Sequence, residues 1–161
     1  MIFRPTTATD LDAYFAFSAD AQTLIHNKQL KQWVPTAHEP YQSAVRTEFD
    51  KYVSVVDGRL IACFRLSAIH PEAAWPHRND ALYVSNIVVS PSRHGENVGT
   101  AILEYCLARV KEKRLRYLHL TAENTNDWLC SYYERHHFYR VGTIQSHDDY
   151  YESLYERDAA H

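Results

Sequence analysis

The residues best placed to do chemistry lie between Leu82 and Leu103, in LYVSNIVVSPSRHGENVGTAIL. An apolar run ends at Val89, Pro91 opens a turn, and small residues lead into a helical pattern beginning near Gly99. A loop of small residues opening onto a helix N-terminus is an anion site. The unpaired N–H groups of the first turn point outward, and the helix dipole favours negative charge there. The stretch His94–Thr100 is therefore expected to hold a phosphorylated group.

The surrounding elements follow from periodicity and caps. Ile2–Arg4 reads as a short strand. Thr9 or Asp10 is expected to cap a helix with Leu11, Tyr14, Phe15 and Phe17 on its apolar face. A second helical pattern spans about Ala21 to Gln32, and Glu39-Pro40 starts another that leads to Val45 and Phe49. Tyr52–Val56 and Leu60–Ile69 flank Asp57-Gly58, a strong hairpin signal. Leu82–Val89 is a continuous apolar strand of the kind found at a sheet centre. Gly99–Lys113 places Ile102, Leu103, Cys106, Leu107 and Val110 at helical spacing. Tyr117–Ala122 is a strand, and Asn124–Asn126 caps a helix reaching about Arg135. Phe138–Ile144 and Tyr150–Tyr155 are closing strands. This order predicts an α/β fold with a mixed sheet, parallel at its centre and antiparallel at its edges.

Bulk properties narrow the classes. A chain of 161 residues without linker or repeat reads as one domain, 1–161. A net charge of −3 with no Lys or Arg block argues against nucleic acid as a partner. Cys63, Cys106 and Cys130 sit in apolar patterns, which suits buried free thiols in a reducing compartment. No signal core or membrane span is present, so a cytoplasmic location without a membrane partner is expected. Nothing in the sequence sets an oligomeric state.

The Leu82–Leu103 segment, in this element order, resembles the GNAT superfamily of acyl-CoA-dependent N-acetyltransferases. The family's R/Q-x-x-G-x-G/A loop follows a strand ending near V-x-P. Here Val89-Ser90-Pro91, then His94-Gly95-Glu96-Asn97-Val98-Gly99, then Ile102-Leu103 occupy those positions. The resemblance implies a GNAT-like fold. It also implies that backbone N–H groups of His94, Gly95, Glu96, Asn97, Val98, Gly99 and Thr100 hold the pyrophosphate of acetyl-CoA. His94 stands where Arg or Gln is usual, and Asn97 where Gly is usual. Asn tolerates a left-handed backbone, so the loop shape is expected to survive with weaker cofactor binding.

A second segment, Leu118–Gly142, is similar to the family's strand, Asn, then helix ending in Y-E-x-x-G-F. Asn126, Tyr133, Glu134 and Phe138 match, while His137 replaces the Gly. By this resemblance Tyr133 is the acid that protonates the departing thiolate, and Asn126 contacts the cofactor's pantetheine or phosphate arm. The backbone of Ile87, Val88 and Val89 would polarise the thioester carbonyl.

The implied activity is N-acetyl transfer to a primary amine of a small molecule or peptide, by direct attack in a ternary complex. The alternative is a non-catalytic acyl-CoA-binding or regulatory module of the same fold. Glu123, His119, Glu72 and Asp80 are open candidates for the general base. Residues 20–40 and 70–80 are the loops expected to choose the acceptor. No metal is expected. His136, His137 and His147 lack a carboxylate or Cys at ligand spacing, and read as solvated or partly buried side chains. Cys130 reads as core rather than nucleophile, and Tyr150, Tyr151 and Tyr155 as sheet packing.

Overall fold

The computed structural model describes residues 1–27, 50–70 and 75–160. Of the second helical pattern expected over about 21–32, residues 21–27 continue the helix that begins at Leu11 instead of starting a new one, and 28–32 lie outside the described residues, as do the pattern over 39–49 and Glu72. The chain forms two compact units, Met1–Arg65 with Asn86–Val98, and Leu66–Ser85 with Gly99–His161.

The first unit begins with β1 (Arg4–Pro5), followed by α1 (Leu11–Asn27). The helix entrance differs from the sequence reading. Thr7, rather than Thr9 or Asp10, is the cap, and a 3-10 turn at Ala8–Asp10 runs straight into α1. Asp10 decides this. Its carboxylate accepts the Thr7 N–H at 2.7 Å and two guanidinium bonds from Arg4 at 2.7 and 3.0 Å. Those bonds hold the Asp10 carboxyl well below the usual carboxylate range, with Arg4 the leading cause.

β2 (Lys51–Val56) pairs antiparallel with β1 and with β3 (Arg59–Ser67). Asp57 and Gly58 turn this hairpin with φ of +51° and +73°, the left-handed pair that a type I′ turn requires. Tyr14 of α1 is buried against Val53 and Cys63 of the hairpin and Val88, with Phe15 and Phe17 at the margin. This is the apolar face the helical spacing predicts.

The second unit contains the first part of β4 (Ala81–Val89), nearly all of α2 (Val98–Glu112), and β5 (Tyr117–Glu123). It continues with α3 (Asp127–Arg135), β6 (Tyr139–His147) and β7 (Tyr150–Asp158). β4 pairs parallel with β5, through Ala81↔Tyr117 to Tyr83↔His119. β5 pairs antiparallel with β7, and β7 with β6.

Ile102, Leu103, Cys106, Leu107 and Val110 of α2 are all buried, as their spacing predicts. Leu82, Leu118, Leu120 and Leu154 join them, each worth roughly 1.5–3 kcal/mol relative to exposure. Cys63, Cys106 and Cys130 are buried free thiols. With seven strands, three helices and both kinds of strand pairing among the described residues, the fold is mixed α/β.

Candidate active site

The loop after β4 is built by local hydrogen bonds in the first unit. Ser90 N–H donates to the Ile61 carbonyl at 2.8 Å, anchoring the strand end. Pro91–Arg93 form one 3-10 turn, closed by Arg93 N–H on Ser90 O at 2.9 Å. His94 and Glu96 N–H groups are spent inside the loop, on Pro91 O and Arg93 O. Gly95 and Asn97 adopt φ of +88° and +58°. Asn97 thus takes the left-handed backbone expected of it, and the chain turns directly into α2 at Val98. His94, Gly95, Glu96 and Asn97 are exposed. Intrahelical geometry leaves the first N–H groups of α2, at Val98, Gly99 and Thr100, without helical acceptors.

β4 carries a feature that sequence reasoning missed. Asn86 lies inside the strand with φ +54°. A left-handed residue in a strand is the mark of a bulge, which bends the strand and re-aims its backbone groups. The next residues are Ile87, Val88 and Val89. The signal was present as an Asn within Val84-Ser85-Asn86-Ile87-Val88, since Asn is disfavoured in strands and tolerant of this conformation.

In the second unit, the first turn of α2 meets α3. A Cβ built on Gly99 would stand 2.9 Å from the Tyr132 hydroxyl oxygen. Thr100 Oγ1 lies 3.3 Å from that hydroxyl and 2.9 Å from His136 Nε2. His136 Nδ1 donates to the Tyr132 carbonyl at 2.7 Å, so Nε2 is the acceptor for the Thr100 hydroxyl. Trp128, an exposed residue, stacks on Tyr132 with ring centroids 5.6 Å apart. His136 is therefore a partner of the helix start, and its neighbour His137 serves a different purpose.

Tyr133 faces the core, with its ring against Phe138 and Tyr155. Burial, helped by Tyr132 and Tyr83, pushes its phenol well above the ordinary value. The hydroxyl stays protonated and suits a hydrogen-bond donor. Asn126 is the N-cap of α3, its Oδ1 accepting Leu129 N–H at 3.1 Å. The end of α3 is a Schellman motif. Phe138 N–H reaches Tyr133 O, His137 N–H reaches Glu134 O, and His137 takes φ +67°. The Phe138–Tyr133 ring contact supplies the hydrophobic clasp that accompanies this motif.

The general-base candidates differ sharply. Asp80 is exposed and accepts Arg116 N–H. Glu123 is buried and accepts the Thr125 hydroxyl at 2.5 Å. His119 is buried between two titratable neighbours, His70 at 2.9 Å and Glu156 at 2.8 Å, with Trp75 stacked 4.3 Å away. Among the described residues no group of three or more His, Cys, Asp or Glu is arranged to hold a metal ion. No described helix is long and apolar enough to cross a membrane.

A sequence model of the acetyltransferase (GNAT) family matches residues 19–138. The chain belongs to the GNAT acetyltransferase family. No curated protein sequence matches this GNAT chain. Solved structures share its fold at low identity. A GNAT acetyltransferase from Listeria monocytogenes superimposes with a TM-score of 0.76 at 16% identity, covering 98% of this chain and 94% of the other. The ribosomal-protein-alanine N-acetyltransferase of Brucella melitensis gives 0.70 at 16% identity, over 98% and 99%. The putative acetyltransferase yncA of Salmonella typhimurium, solved with acetyl-CoA, gives 0.70 at 12% identity, over 99% and 94%.

Proposed function

We propose that this protein transfers an acetyl group from acetyl-CoA to a primary amine of a small molecule or peptide, within a single domain spanning 1–161. The observation that carries the reading is the loop into α2. Gly95 and Asn97 hold left-handed backbones, and the exposed turn ends where α2 offers N–H groups without helical acceptors. That arrangement suits a pyrophosphate. The backbone N–H groups of Gly95, Asn97, Val98, Gly99 and Thr100 form the cradle. Those of His94 and Glu96 serve by shaping it.

The remaining assignments follow the family resemblance. Backbone N–H groups of Ile87, Val88 and Val89, re-aimed by the bulge at Asn86, polarise the thioester carbonyl in advance of reaction. Asn126 contacts the pantetheine or phosphate arm of the cofactor, and its side-chain oxygen also fixes the start of α3, the helix that carries Tyr133. Tyr133 donates a hydrogen bond to the departing sulfur. Its raised phenol makes full proton transfer to a thiolate uphill, so stabilisation by a donated hydrogen bond is its main effect. Holding both reactants together supplies much of the remaining rate. The reaction takes place in the cytoplasm.

Calorimetric titration with CoA and thiol release from acetyl-CoA across a panel of primary amines test the reading. Gly99→Glu puts a carboxylate at the cradle and should weaken CoA by at least about tenfold, roughly 1.4 kcal/mol, relative to Gly99→Ala, which meets Tyr132 in the same way without the charge. Unchanged CoA affinity in that variant refutes the cradle. The departure at His94 favours a second reading, an acyl-CoA-binding regulatory module. CoA binding without thiol release to any amine would select it. His94→Arg should tighten CoA under either reading, because it sets a permanent cation beside phosphate.

A further inference from the structure

Glu156, His119 and His70 stand in line across the second unit. Glu156 Oε2 is 2.8 Å from His119 Nε2, His119 Nδ1 is 2.9 Å from His70 Nε2, and His70 Nδ1 is 3.3 Å from the Ala68 carbonyl oxygen. His119 and Glu156 are 0% and 1% exposed, while His70 reaches the surface. The line has one closed end and one open end. We propose that it is a proton relay that takes up the proton lost by the amine acceptor, with His70 as the group that receives it. The proposal rests on the acetyltransferase reading given above.

Counting protons gives the direction of transfer. Glu156 also accepts from the Tyr139 hydroxyl at 2.6 Å and from His77 Nδ1 at 3.0 Å. Burial raises its carboxyl, but these bonds and the one from His119 outweigh burial and hold it below its ordinary value. An ionised carboxylate only accepts, so His119 carries its proton on Nε2. A neutral His119 then offers Nδ1 as acceptor to His70 Nε2–H. A neutral His70 has a bare Nδ1 facing a carbonyl oxygen, lone pair to lone pair. The three contacts need three protons and the neutral pair has two. One more proton at His70 Nδ1 converts the unfavourable contact into a hydrogen bond. The pair can then pass His70 Nε2–H to His119 Nδ1, leaving an imidazolium beside the Glu156 carboxylate.

The surroundings keep the relay empty until it is needed. Burial, the neighbouring His119 and Arg78 push His70 down to about 4, against the pull of Ala68 O. Burial also lowers His119, against the pull of Glu156. Tyr83 of β4 packs on His70, Tyr117 of β5 on His77, and Trp75 on His119. These rings pack the sides of the line with apolar surface.

Acetylation of an alkyl ammonium forms a C–N bond, breaks a C–S bond and releases one proton overall. Two protons leave the nitrogen. An ammonium has no lone pair, so the first is lost to solvent before attack. As the neutral amine bonds to the carbonyl carbon its nitrogen becomes acidic enough for an imidazole, and the second proton passes to His70 and then to solvent, while the departing thiolate takes one proton up.

The test measures kcat/KM for thiol release with the fastest amine of a panel, from about pH 5 to 10, in wild type and His70→Ala. Calorimetry with acetyl-CoA on both proteins establishes that fold and cofactor site persist. His70→Ala should lose about 100-fold at pH 7, the low end of general-base effects. The deficit should shrink as pH nears the amine's own pKa, and added imidazole should restore part of the rate. Glu156→Gln should lose part of the same rate at pH 7, because it removes the carboxylate that balances an imidazolium at His119. A His70→Ala loss that is absent, or equal at every pH, overturns the relay and leaves the acetyltransferase reading standing. Failure of wild type to release thiol with any amine overturns both.

Discussion

The Tyr132 hydroxyl oxygen stands 2.9 Å from where a Cβ on Gly99 would lie, so a side chain at this position must displace the end of the Tyr132 ring. Gly99→Ala should therefore be destabilising, by about 1–3 kcal/mol for the clash, less up to about 1 kcal/mol of helix propensity. In a Tyr132→Phe background the same substitution should be nearly free. A double-mutant cycle by urea unfolding should give a coupling of about 1 kcal/mol. No coupling would mean that the α2 and α3 turns are further apart.

The same contact removes Tyr132 as a neutral comparison for its neighbour. Tyr133→Phe keeps the ring against Phe138 and Tyr155 and deletes only the hydroxyl. Its kcat should fall about 10- to 100-fold, with the acetyl-CoA KM nearly unchanged, as for an interaction made mainly in the transition state. Tyr151→Phe, on an exposed position of β7, should match wild type. Because burial raises the Tyr133 phenol, no alkaline limb from it should appear below about pH 10. Full activity in Tyr133→Phe would pass the donor role to water.

His137 occupies the left-handed position of the Schellman motif at φ +67°. His137→Gly keeps both motif hydrogen bonds, which are backbone to backbone, and relieves the strain of a side chain there. Stability should rise by about 1 kcal/mol, read as a higher urea midpoint at unchanged slope. His137→Ala should give no such gain, since alanine keeps the Cβ.

Stability should fall with acid in two separate windows. His70 and His119 have folded values held below the ordinary imidazole range, so the unfolded chain binds protons first. Their contribution is present above about pH 6.5 and is lost as pH falls through the folded His70 value near 4. Asp10 is also depressed by its Arg4 and Thr7 bonds. Its share is present above about pH 3.9 and is lost only below that. Unfolding curves at stepped pH should show His70→Ala flattening the first window and Asp10→Asn the second. Asp10→Asn should also cost up to about 1 kcal/mol at pH 7, the scale of an exposed ion pair, because it removes the charge that faces Arg4.

The local parts of this fold were legible in the sequence because local chemistry decides them. The spacing of Ile102, Leu103, Cys106, Leu107 and Val110 forces one buried face of α2. Asp57-Gly58 supplies the two left-handed residues of its hairpin, and Asn126 the side-chain oxygen that caps α3. The α1 cap was misplaced by two or three residues because Thr7, Thr9 and Asp10 are all capable, and the choice falls to Arg4, a residue of β1. Asn86 was read as one more strand residue, since an apolar run hides a bulge. The line Glu156–His119–His70 joins β7, β5 and the segment after β3, so only strand register brings it together. Tyr132 and Tyr133 are adjacent in sequence, and a 100° step around α3 turns one toward the start of α2 and the other toward the core, as the register of Tyr133 with Phe138 requires.

The buried thiols give the protein two internal clocks. Burial pushes Cys63 up to about 12 and Cys106 higher still, so neither offers appreciable thiolate to a reagent at neutral pH. Alkylation must wait for the chain to open around each one. Cys63 belongs to the first unit and Cys106 to the second, so tryptic peptides bearing the two labels time each unit's breathing separately in a single tube.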